Sequence, residues 1–272
     1  MLEPSSDLIH EGDRVLLYLD SRRMWLVSVH KNSAKFHTHA GIVDLSSLVG
    51  RRYGESVVTT LSERIVLLRP VVVDYVMKSE RRTQIVYPKD FSYIGARSGL
   101  RNGSQVLECG TGSGALTSYF ASLVSPDGCV HSFEERAEFF EIAKRNLEKA
   151  SLKDFVKFEN TNLLGSNSVK ESWYDLALLD TGDPWVLIPT AHKALRGSGF
   201  LFSICPTTNQ LEAVATAMKG TFCDIESVEI LLRHIEAREG KTRPSMRMVG
   251  HTCYLISGRK MVTEPEAVEN VK

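Results

Sequence analysis

Three acidic side chains stand at the ends of apolar stretches, where each of them could bind a ligand. Glu108 lies in "VLECGTGSG", Glu134 ends "CVHSFE", and Asp180 ends "YDLALLD". A strand that is buried on both faces is apolar throughout, so an acid at its end marks the point where the chain leaves the core. Such an acid either caps the next helix or takes part in binding or catalysis. We therefore treat all three as candidate site residues.

The glycines that follow Glu108 predict a ligand-binding turn. Gly110, Gly112 and Gly114 come between a predicted strand and a predicted helix. Glycine lets the backbone turn sharply and approach a ligand closely, and a helix N-terminus offers free N–H groups. With Ala115, the spacing also fits the G-x-G-x-x-[GA] pattern of dinucleotide sites. The glycine turn alone therefore does not identify the ligand.

The acids near the turn favour a cationic nucleoside. Glu108 lies two residues before Gly110, where a carboxylate repels a pyrophosphate and attracts an ammonium or sulfonium group. Glu134 ends the next strand, where an acid can accept hydrogen bonds from both ribose hydroxyls or cap the next helix. Asn162, after a third strand, could contact an adenine edge or form a simple turn. S-adenosylmethionine carries both cationic groups and no phosphate, so it is the expected cofactor.

Alternating strands and helices position these residues. From Gln105 to the helix "NQLEAVATAMKG", apolar strands alternate with helical stretches. This alternation predicts an α/β, Rossmann-like fold with a doubly wound, mostly parallel sheet. The last two strands, around "IESVEILLRHIEAR" and "HTCYLISGR", have no helix between them and should form an antiparallel pair at one edge. Ligands bind at the carboxyl edge of such sheets, so Glu108, Glu134 and Asp180 should line one crevice.

The first part of the chain has a different sequence pattern from the rest. Short apolar runs such as "RVLLYLD" and "MWLVSVH" predict a small all-β domain over residues 1–69, before a catalytic domain over residues 70–272.

The composition restricts the class of protein. Lys+Arg and Asp+Glu both number 33, so any surface that binds nucleic acid must be a local basic face. The five cysteines include no C-x-x-C pair, which predicts no disulfide framework and no metal site. We expect a cytoplasmic protein, because no signal-peptide or membrane-spanning pattern is present.

Several stretches together resemble one family. "ECGTGSGALT", "FEERAEFFEIAKRNL" and "LLDTGDPW" are similar to the class I methyltransferases that methylate N1 of adenine 58 in the T-loop of tRNA. "RRTQIVYPKD", "CPTTNQ" and "RPSMRMVGHTCYL" resemble other signatures of that family. The similarity covers nearly the whole chain and is closest to the archaeal single-subunit form. It implies S-adenosyl-L-methionine as cofactor, tRNA as substrate and a homotetramer, and it leaves open whether adenine 57 is also methylated.

The resemblance also implies roles for individual residues. The cofactor would be held by Glu108, Gly110, Gly112, Ser113 and Gly114 at its methionine part, by Glu134 at the ribose and by Asn162, where the family has Asp, at the adenine. Asp180 matches the catalytic aspartate, which also borders the cofactor, and Tyr87 matches a tyrosine of the target-base pocket, although core packing would equally explain it. Arg243, Arg247 and His251 are candidate contacts to RNA phosphates, with solubilising charge on an edge strand as the alternative.

Methyl transfer in line to adenine N1 is the expected chemistry. N1 already carries a lone pair, so the enzyme must mainly place it at near-attack distance. Asp180 can accept a hydrogen bond from the N6 amine and stabilise the charge that develops on the ring; it could instead cap the helix near Pro184, for which Asp183 is better placed. The family reads Asp-Leu-Pro-x-Pro-Trp here, whereas this chain has Thr181 and Gly182. The loop should therefore be more flexible, with weaker activity or with activity that requires tRNA to order the loop.

Three other functions stay compatible with the sequence. A class I methyltransferase could act on another substrate, such as a protein carboxyl group, although the acid-x-x-x-Pro-Trp stretch argues against it. A non-catalytic tRNA-binding subunit could keep this fold, but the chain retains Asp180 and the glycines of the turn. A dinucleotide-dependent oxidoreductase is the most remote alternative. The small N-terminal domain could bind tRNA or neighbouring subunits.

Overall fold

Residues 7–82 and 84–262 are described by the structure, which is a computed structural model. The chain divides into two units, residues 1–79 and residues 80–272. Within the described ranges, no helix has the length and apolar character needed to cross a membrane.

Short antiparallel strands build the first unit. They are β1 (Arg14–Tyr18), β2 (Met24–Ser28), β3 (Lys35–Thr38), β4 (Gly41–Asp44), β5 (Ser56–Val58) and β6 (Arg64–Leu68), followed by the helix α1 (Val72–Lys78). Four of them form a sheet in the order β2-β1-β6-β5, and β3 and β4 form a separate hairpin. Val15 and Leu17 on β1, with Ile65 and Leu67 on β6, are fully buried in the core of this unit. Their spacing of two residues is the reason that one face of the sheet is apolar.

Helix α1 belongs to the first unit, which therefore extends to residue 79, whereas the sequence predicts the boundary after residue 69. The helix contacts β2, and Val76 on α1 is buried. A sequence pattern shows where a helix starts, but it does not show which neighbour the helix packs against. The difference in the boundary follows from that packing.

A seven-stranded sheet with helices on both faces forms the second unit. Its strands are β7 (Gln105–Cys109), β8 (Cys129–Phe133), β9 (Val156–Glu159), β10 (Tyr174–Leu179), β11 (Leu195–Cys205), β12 (Phe222–Val228) and β15 (Tyr254–Lys260), and β13 (Ile235–Glu236) and β14 (Arg243–Pro244) form a small separate hairpin. Its helices are α2 (Pro88–Ser98), α3 (Ala115–Val124), α4 (Ala137–Lys149), α5 (Pro184–Ala194) and α6 (Thr208–Met218). On β7, Leu107 packs in the same cluster as side chains of α5, while Glu108 bonds to Thr117 of α3. Helices α3 and α5 therefore lie on opposite faces.

The strand order confirms the predicted fold class. The order is β12-β15-β11-β10-β7-β8-β9, and the pairs from β11 to β9 are parallel. β15 runs antiparallel to both of its neighbours, β11 and β12, so the predicted antiparallel pair at one edge is present. Within this pair β15 lies on the inside and β12 forms the edge. The predicted strand around "IESVEILLRHIEAR" already ends at Val228.

The same order fixes where a ligand can bind. β7 is the first strand of the second unit, and its neighbours β8 and β10 lie on its two sides. Ligands bind outside the carboxyl ends of the strands at such a switch point. Glu108 is on β7, Glu134 follows β8, and Asp180 follows β10. The three acids are therefore carried to one edge of the sheet by neighbouring strands.

Candidate active site

The turn after β7 is formed by glycines with left-handed backbone angles. The φ angle is +95° at Gly110, +55° at Gly112 and +81° at Gly114. A Cβ on Gly110 would lie 2.0 Å from the carbonyl oxygen of Asp180, so no side chain fits there. The amide of Asp180 also donates a hydrogen bond to the carbonyl of Cys109 (2.9 Å). The ends of β7 and β10 are thus in direct backbone contact.

Two neighbouring cavities open at this edge of the sheet, with volumes of about 660 Å³ and about 190 Å³. Gly110, Glu134, Arg136 and Asp180 line both of them. The larger cavity is also lined by Glu135, Asn162, Thr181, Gly182, Asp183, Pro206 and Gln210, and the smaller one by Gln84, Gly112 and Ser113. The volume of the larger cavity lies within the range of small-molecule cofactor sites.

Glu108 lies beneath the glycine turn and lines neither cavity. Its buried Oε2 accepts hydrogen bonds from Thr117 Oγ1 (2.6 Å) and Ser132 Oγ (2.5 Å), and Oε1 has no partner among the described residues. Burial raises the pKa of Glu108 to about 7; the two hydroxyl groups lower it and the charges of Asp180 and Glu134 raise it. An unpartnered buried oxygen is costly. A cationic ligand placed above the turn would offset that cost.

Glu134 connects the glycine turn to the start of α4. Its Oε2 accepts a hydrogen bond from the amide of Gly112 (2.9 Å), and its Oε1 accepts from the amide and the Nε of Arg136 (both 3.1 Å). Arg136 is the N-cap residue of α4, so Glu134 supports the helix start as well as the turn. A carboxylate has about four acceptor sites. Glu134 therefore keeps one site for a ligand, and it would gain a second if Arg136 moved aside.

Asp180 is a partly buried wall residue of both cavities. Burial raises its pKa to about 6; the charge of Glu134 raises it further and that of Arg136 lowers it. Asp183 occupies the N-cap position of α5, although its side chain makes no capping hydrogen bond. Above about pH 6, Asp180 presents a negative charge to the cavity.

The loop after Asp180 is held at one point. The carbonyl of Gly182 accepts a hydrogen bond from Gln210 Nε2 (3.0 Å), and Gln210 also forms the capping box of α6 with Thr207. The buried hydroxyl of Thr181 has no partner among the described residues. A Cβ on Gly182 would meet nothing within 4 Å. The loop thus has room for a larger residue and offers a spare hydroxyl group to a ligand.

Asn162 and Tyr87 contribute differently from the three acids. Asn162 lines the larger cavity, but its Oδ1 accepts from the amide of Leu164 (3.0 Å) and its Nδ2 donates to Glu135 Oε2 (3.1 Å). Tyr87 is the N-cap residue of α2, and its hydroxyl accepts from Gln84 Nε2 (3.0 Å). Tyr87 lines neither cavity, whereas Gln84 lines the smaller one.

The three candidate RNA contacts near the C-terminus are not equally close to the cavities. Arg243 and Arg247 are exposed, and Arg243 forms an ion pair within the β13–β14 hairpin. His251 contacts Glu229 Oε1 through Nδ1 (2.6 Å) and the carbonyl of Pro206 through Nε2 (3.0 Å). These two acceptors raise the pKa of His251. Since Pro206 lines the larger cavity, only His251 of the three reaches a wall residue.

The structure adds two site residues that the sequence analysis did not identify. Arg136 lines both cavities and holds Glu134. Asn146 on α4 is buried; its Nδ2 donates to the carbonyls of Ser113 and Glu80 (both 2.9 Å), and its Oδ1 accepts from the amide of Glu80 (3.2 Å). The available signal was a polar residue at helical spacing within the apolar stripe of α4.

A mostly parallel seven-stranded sheet, a glycine turn after its first strand and acids at the ends of the neighbouring strands define a class I methyltransferase. The family model described as "tRNA methyltransferase complex GCD14 subunit" matches residues 65–249. The chain therefore belongs to this tRNA methyltransferase family, as the resemblance predicts.

Curated relatives and solved structures agree with this assignment. The tRNA (adenine(57)-N(1)/adenine(58)-N(1))-methyltransferase TrmI of Methanocaldococcus jannaschii is 32% identical, covering 84% of this chain and 89% of the relative. The tRNA (adenine(58)-N(1))-methyltransferase TrmI of Thermus thermophilus is 32% identical, with coverages of 90% and 96%. The crystal structure of the Aquifex aeolicus tRNA (m1A58) methyltransferase TrmI has a TM-score of 0.82 at 30% identity, with coverages of 94% and 100%. A SAM-dependent O-methyltransferase of Thermotoga maritima has a TM-score of 0.88 at 34% identity, with coverages of 98% and 99%.

Proposed function

We propose that this chain transfers a methyl group from S-adenosyl-L-methionine to N1 of adenine 58 in the T-loop of tRNA. The observation that carries the proposal is that Asp180 and Glu134 line the same two cavities, beside the glycine turn that covers Glu108. Family membership and the named activities of the TrmI relatives support the substrate.

The donor set fits this cofactor. A Cβ on Gly112 would meet nothing within 4 Å, so the turn is open on its outer side. The unpartnered Oε1 of Glu108 and the remaining acceptor site of Glu134 suit an ammonium group and a ribose hydroxyl. Three neighbouring acids would repel a pyrophosphate, which argues against a dinucleotide. We assign the methionine part to Glu108 and residues 110–114, the ribose to Glu134, and the adenine to the wall around Asn162.

Asp180 is proposed to orient the target base. When bound, S-adenosylmethionine would supply an electrophilic methyl carbon to the lone pair of adenine N1, with the sulfur as leaving group. The carboxylate of Asp180 accepts a hydrogen bond from the exocyclic N6 amine and stabilises the positive charge that the ring gains. Since its pKa is raised to about 6, turnover should increase as the pH rises through about 6. Tyr87 is assigned to the extruded base and His251, Arg243 and Arg247 to the RNA backbone, as the resemblance implies.

The test is to map methylated positions on tRNA after reaction with the wild type and with Asp180→Ala. We expect the variant to lose about 100- to 1,000-fold in turnover and to bind S-adenosylmethionine within a few-fold of the wild type. Asp180→Asn keeps an acceptor without the charge and should fall between the two. Asp183→Ala is the matched control, because Asp183 lines the same cavity and caps nothing. Full turnover by Asp180→Ala would remove Asp180 from the mechanism, and methyl groups found away from adenine N1 would contradict the substrate.

Transfer to an oxygen atom is the second candidate, since the Thermotoga maritima structure is described as an O-methyltransferase. A carboxylate with a pKa of about 6, such as Asp180, can act as a general base toward a hydroxyl group. Product analysis separates the two functions: N1-methyladenosine in hydrolysed tRNA supports the first, and labelled methyl in protein or in 2′-O-methylated nucleosides supports the second. A non-catalytic subunit would show no transfer to either, and calorimetry would then detect no cofactor binding.

We also propose that the chain forms a homo-oligomer, with the tetramer implied by resemblance as the expected state. Six large apolar side chains of the segment 231–249 are between 45% and 84% exposed: Leu231, Leu232, Ile235, Met246, Met248 and Val249. This number of exposed large apolar side chains within nineteen residues favours an interaction surface. Light scattering should give four times the chain mass, and Met246→Glu should lower it; a monomer at micromolar concentration would contradict the proposal.

A further inference from the structure

An open cleft on the first unit combines aromatic rings with cationic side chains. Its volume is about 380 Å³, which lies within the range of small-ligand sites. The lining residues that matter are Arg22, Arg23, Trp25, Phe36, His39 and Lys78. None of them has a role in the proposed methyl transfer.

The rings of the cleft form a supported platform. Trp25 on β2 packs edge-on against Phe36 on β3, with ring centroids 6.3 Å apart and planes at 68°. The ring of His39 lies 5.7 Å from that of Trp25, tilted by 57°. Trp25 and Phe36 rest on the hydrophobic core of the unit and are only partly buried, and His39 is exposed. Aromatic faces that are fixed from behind and open in front suit the stacking of a planar ring.

The charges around the platform are positive. Arg22 and Lys78 are exposed, and neither side chain forms an ion pair with any residue that the structure describes. Arg23 is paired with Asp20, whose carboxylate accepts from Arg23 Nε at 2.6 Å. No carboxylate lines the cleft itself. In a chain with no net charge, this is a local cationic patch of the kind that contacts phosphates.

We propose that this cleft binds a single-stranded stretch of RNA, with a base stacked on the Trp25 ring and packed against the tilted His39 ring, and the adjoining phosphates contacted by Arg22 and Lys78. A nucleotide uses both features, because each base has an aromatic face and each phosphate a negative charge. An acidic peptide would use the cations and leave the rings without a function. That the RNA is tRNA rests on the proposed function, whereas binding of single-stranded RNA does not.

Trp25 can report binding directly. The chain has three tryptophans, so a Trp173→Phe, Trp185→Phe background of the full chain keeps Trp25 alone as the fluorophore. Titration with a ten-nucleotide single-stranded RNA of mixed sequence should quench this fluorescence. His39→Ala should weaken binding by about 5- to 100-fold. Arg22→Ala with Lys78→Ala should lower the slope of log affinity against log salt by roughly 1–2.

Matched controls and competing ligands make the test decisive. His37→Ala and Lys31→Ala change exposed residues of the same unit that do not line the cleft, and both should bind like the parent. With full tRNA, the cleft variants should raise KM and leave kcat unchanged, which separates them from Asp180→Ala. The proposal fails if the RNA does not quench Trp25, if polyglutamate quenches it equally well, or if His39→Ala binds like His37→Ala. Quenching without any methyl transfer would instead refute the proposed function alone.

Discussion

Replacing Glu108 by Gln should stabilise the apoprotein and weaken cofactor binding at the same time. Burial raises the pKa of Glu108 from its ordinary value of 4.5 to about 7, so the folded state holds this proton to a higher pH than the unfolded state does. The wild type therefore loses stability as the pH rises through this interval. With a pKa of 4.5 in the unfolded state and about 7 in the folded state, the free energy of unfolding falls by roughly 2–3 kcal/mol between about pH 5 and pH 8. The Glu108→Gln variant has no charge to bury, so its free energy of unfolding should not fall in this way.

The assay is urea unfolding of both proteins across this pH range, with and without S-adenosylmethionine. Without cofactor, the two free energies of unfolding should diverge in favour of the variant as the pH increases. Calorimetry at pH 8 should show about tenfold weaker cofactor binding by the variant, since the ligand's cationic group loses a negative partner, and the difference should shrink toward pH 5. Parallel unfolding curves would refute the buried ionisation, and equal affinities at pH 8 would refute its role in binding.

Three further predictions concern residues around the site. Asn146→Ala should destabilise the fold by about 2–4 kcal/mol, because it leaves buried backbone groups of Ser113 and Glu80 unpaired; chemical denaturation measures this, and a loss no larger than that of the exposed Asn209→Ala would contradict it. Gly182→Ala should stabilise by about 0.4–1 kcal/mol, since the added Cβ meets no neighbour; a lower midpoint of unfolding would show that the glycine is required. The pKa of His251 is raised by its two acceptors, so its stabilising contribution is complete at low pH and is lost as the pH rises through that pKa; trypsin cleavage within residues 229–252 should accelerate with pH in the wild type more than in His251→Gln.

The sequence predicts the sheet well because its signals are local. Apolar runs and helical periodicity predict the alternating strands and helices that the structure shows from β7 to α6. The antiparallel pair of β12 and β15 at one edge was predictable, but the order of the two strands within that pair was not, because the segment between them has little regular structure. No local sequence pattern indicates that the last strand pairs with β11.

The sequence predicts the candidate site only for residues that follow directly after neighbouring strands, because the ends of such strands lie close together. Glu134 and Asp180 come directly after their strands and line the cavities, whereas Glu108 is still within β7, where the pleat turns its side chain toward α3. Arg136 contacts Glu134, which is only two residues away, but no motif indicates that Arg136 lines both cavities. Asn146 gives no motif either, because its partners Ser113 and Glu80 are distant in sequence. Long-range hydrogen bonds of this kind are not visible in residue spacing.

The close approach of Gly110 to the Asp180 carbonyl has a consequence for how this enzyme can change over time. Any side chain at Gly110 would push the two strand ends apart, so a single substitution would displace both the turn that we propose to hold the cofactor and the aspartate that we propose to orient the base. Under the proposed roles, a substitution of Gly110 would change cofactor binding and turnover together. A lineage that altered its methyl acceptor would be expected to do so through the loop at Thr181 and Gly182, where there is free space, and to keep Gly110 unaltered.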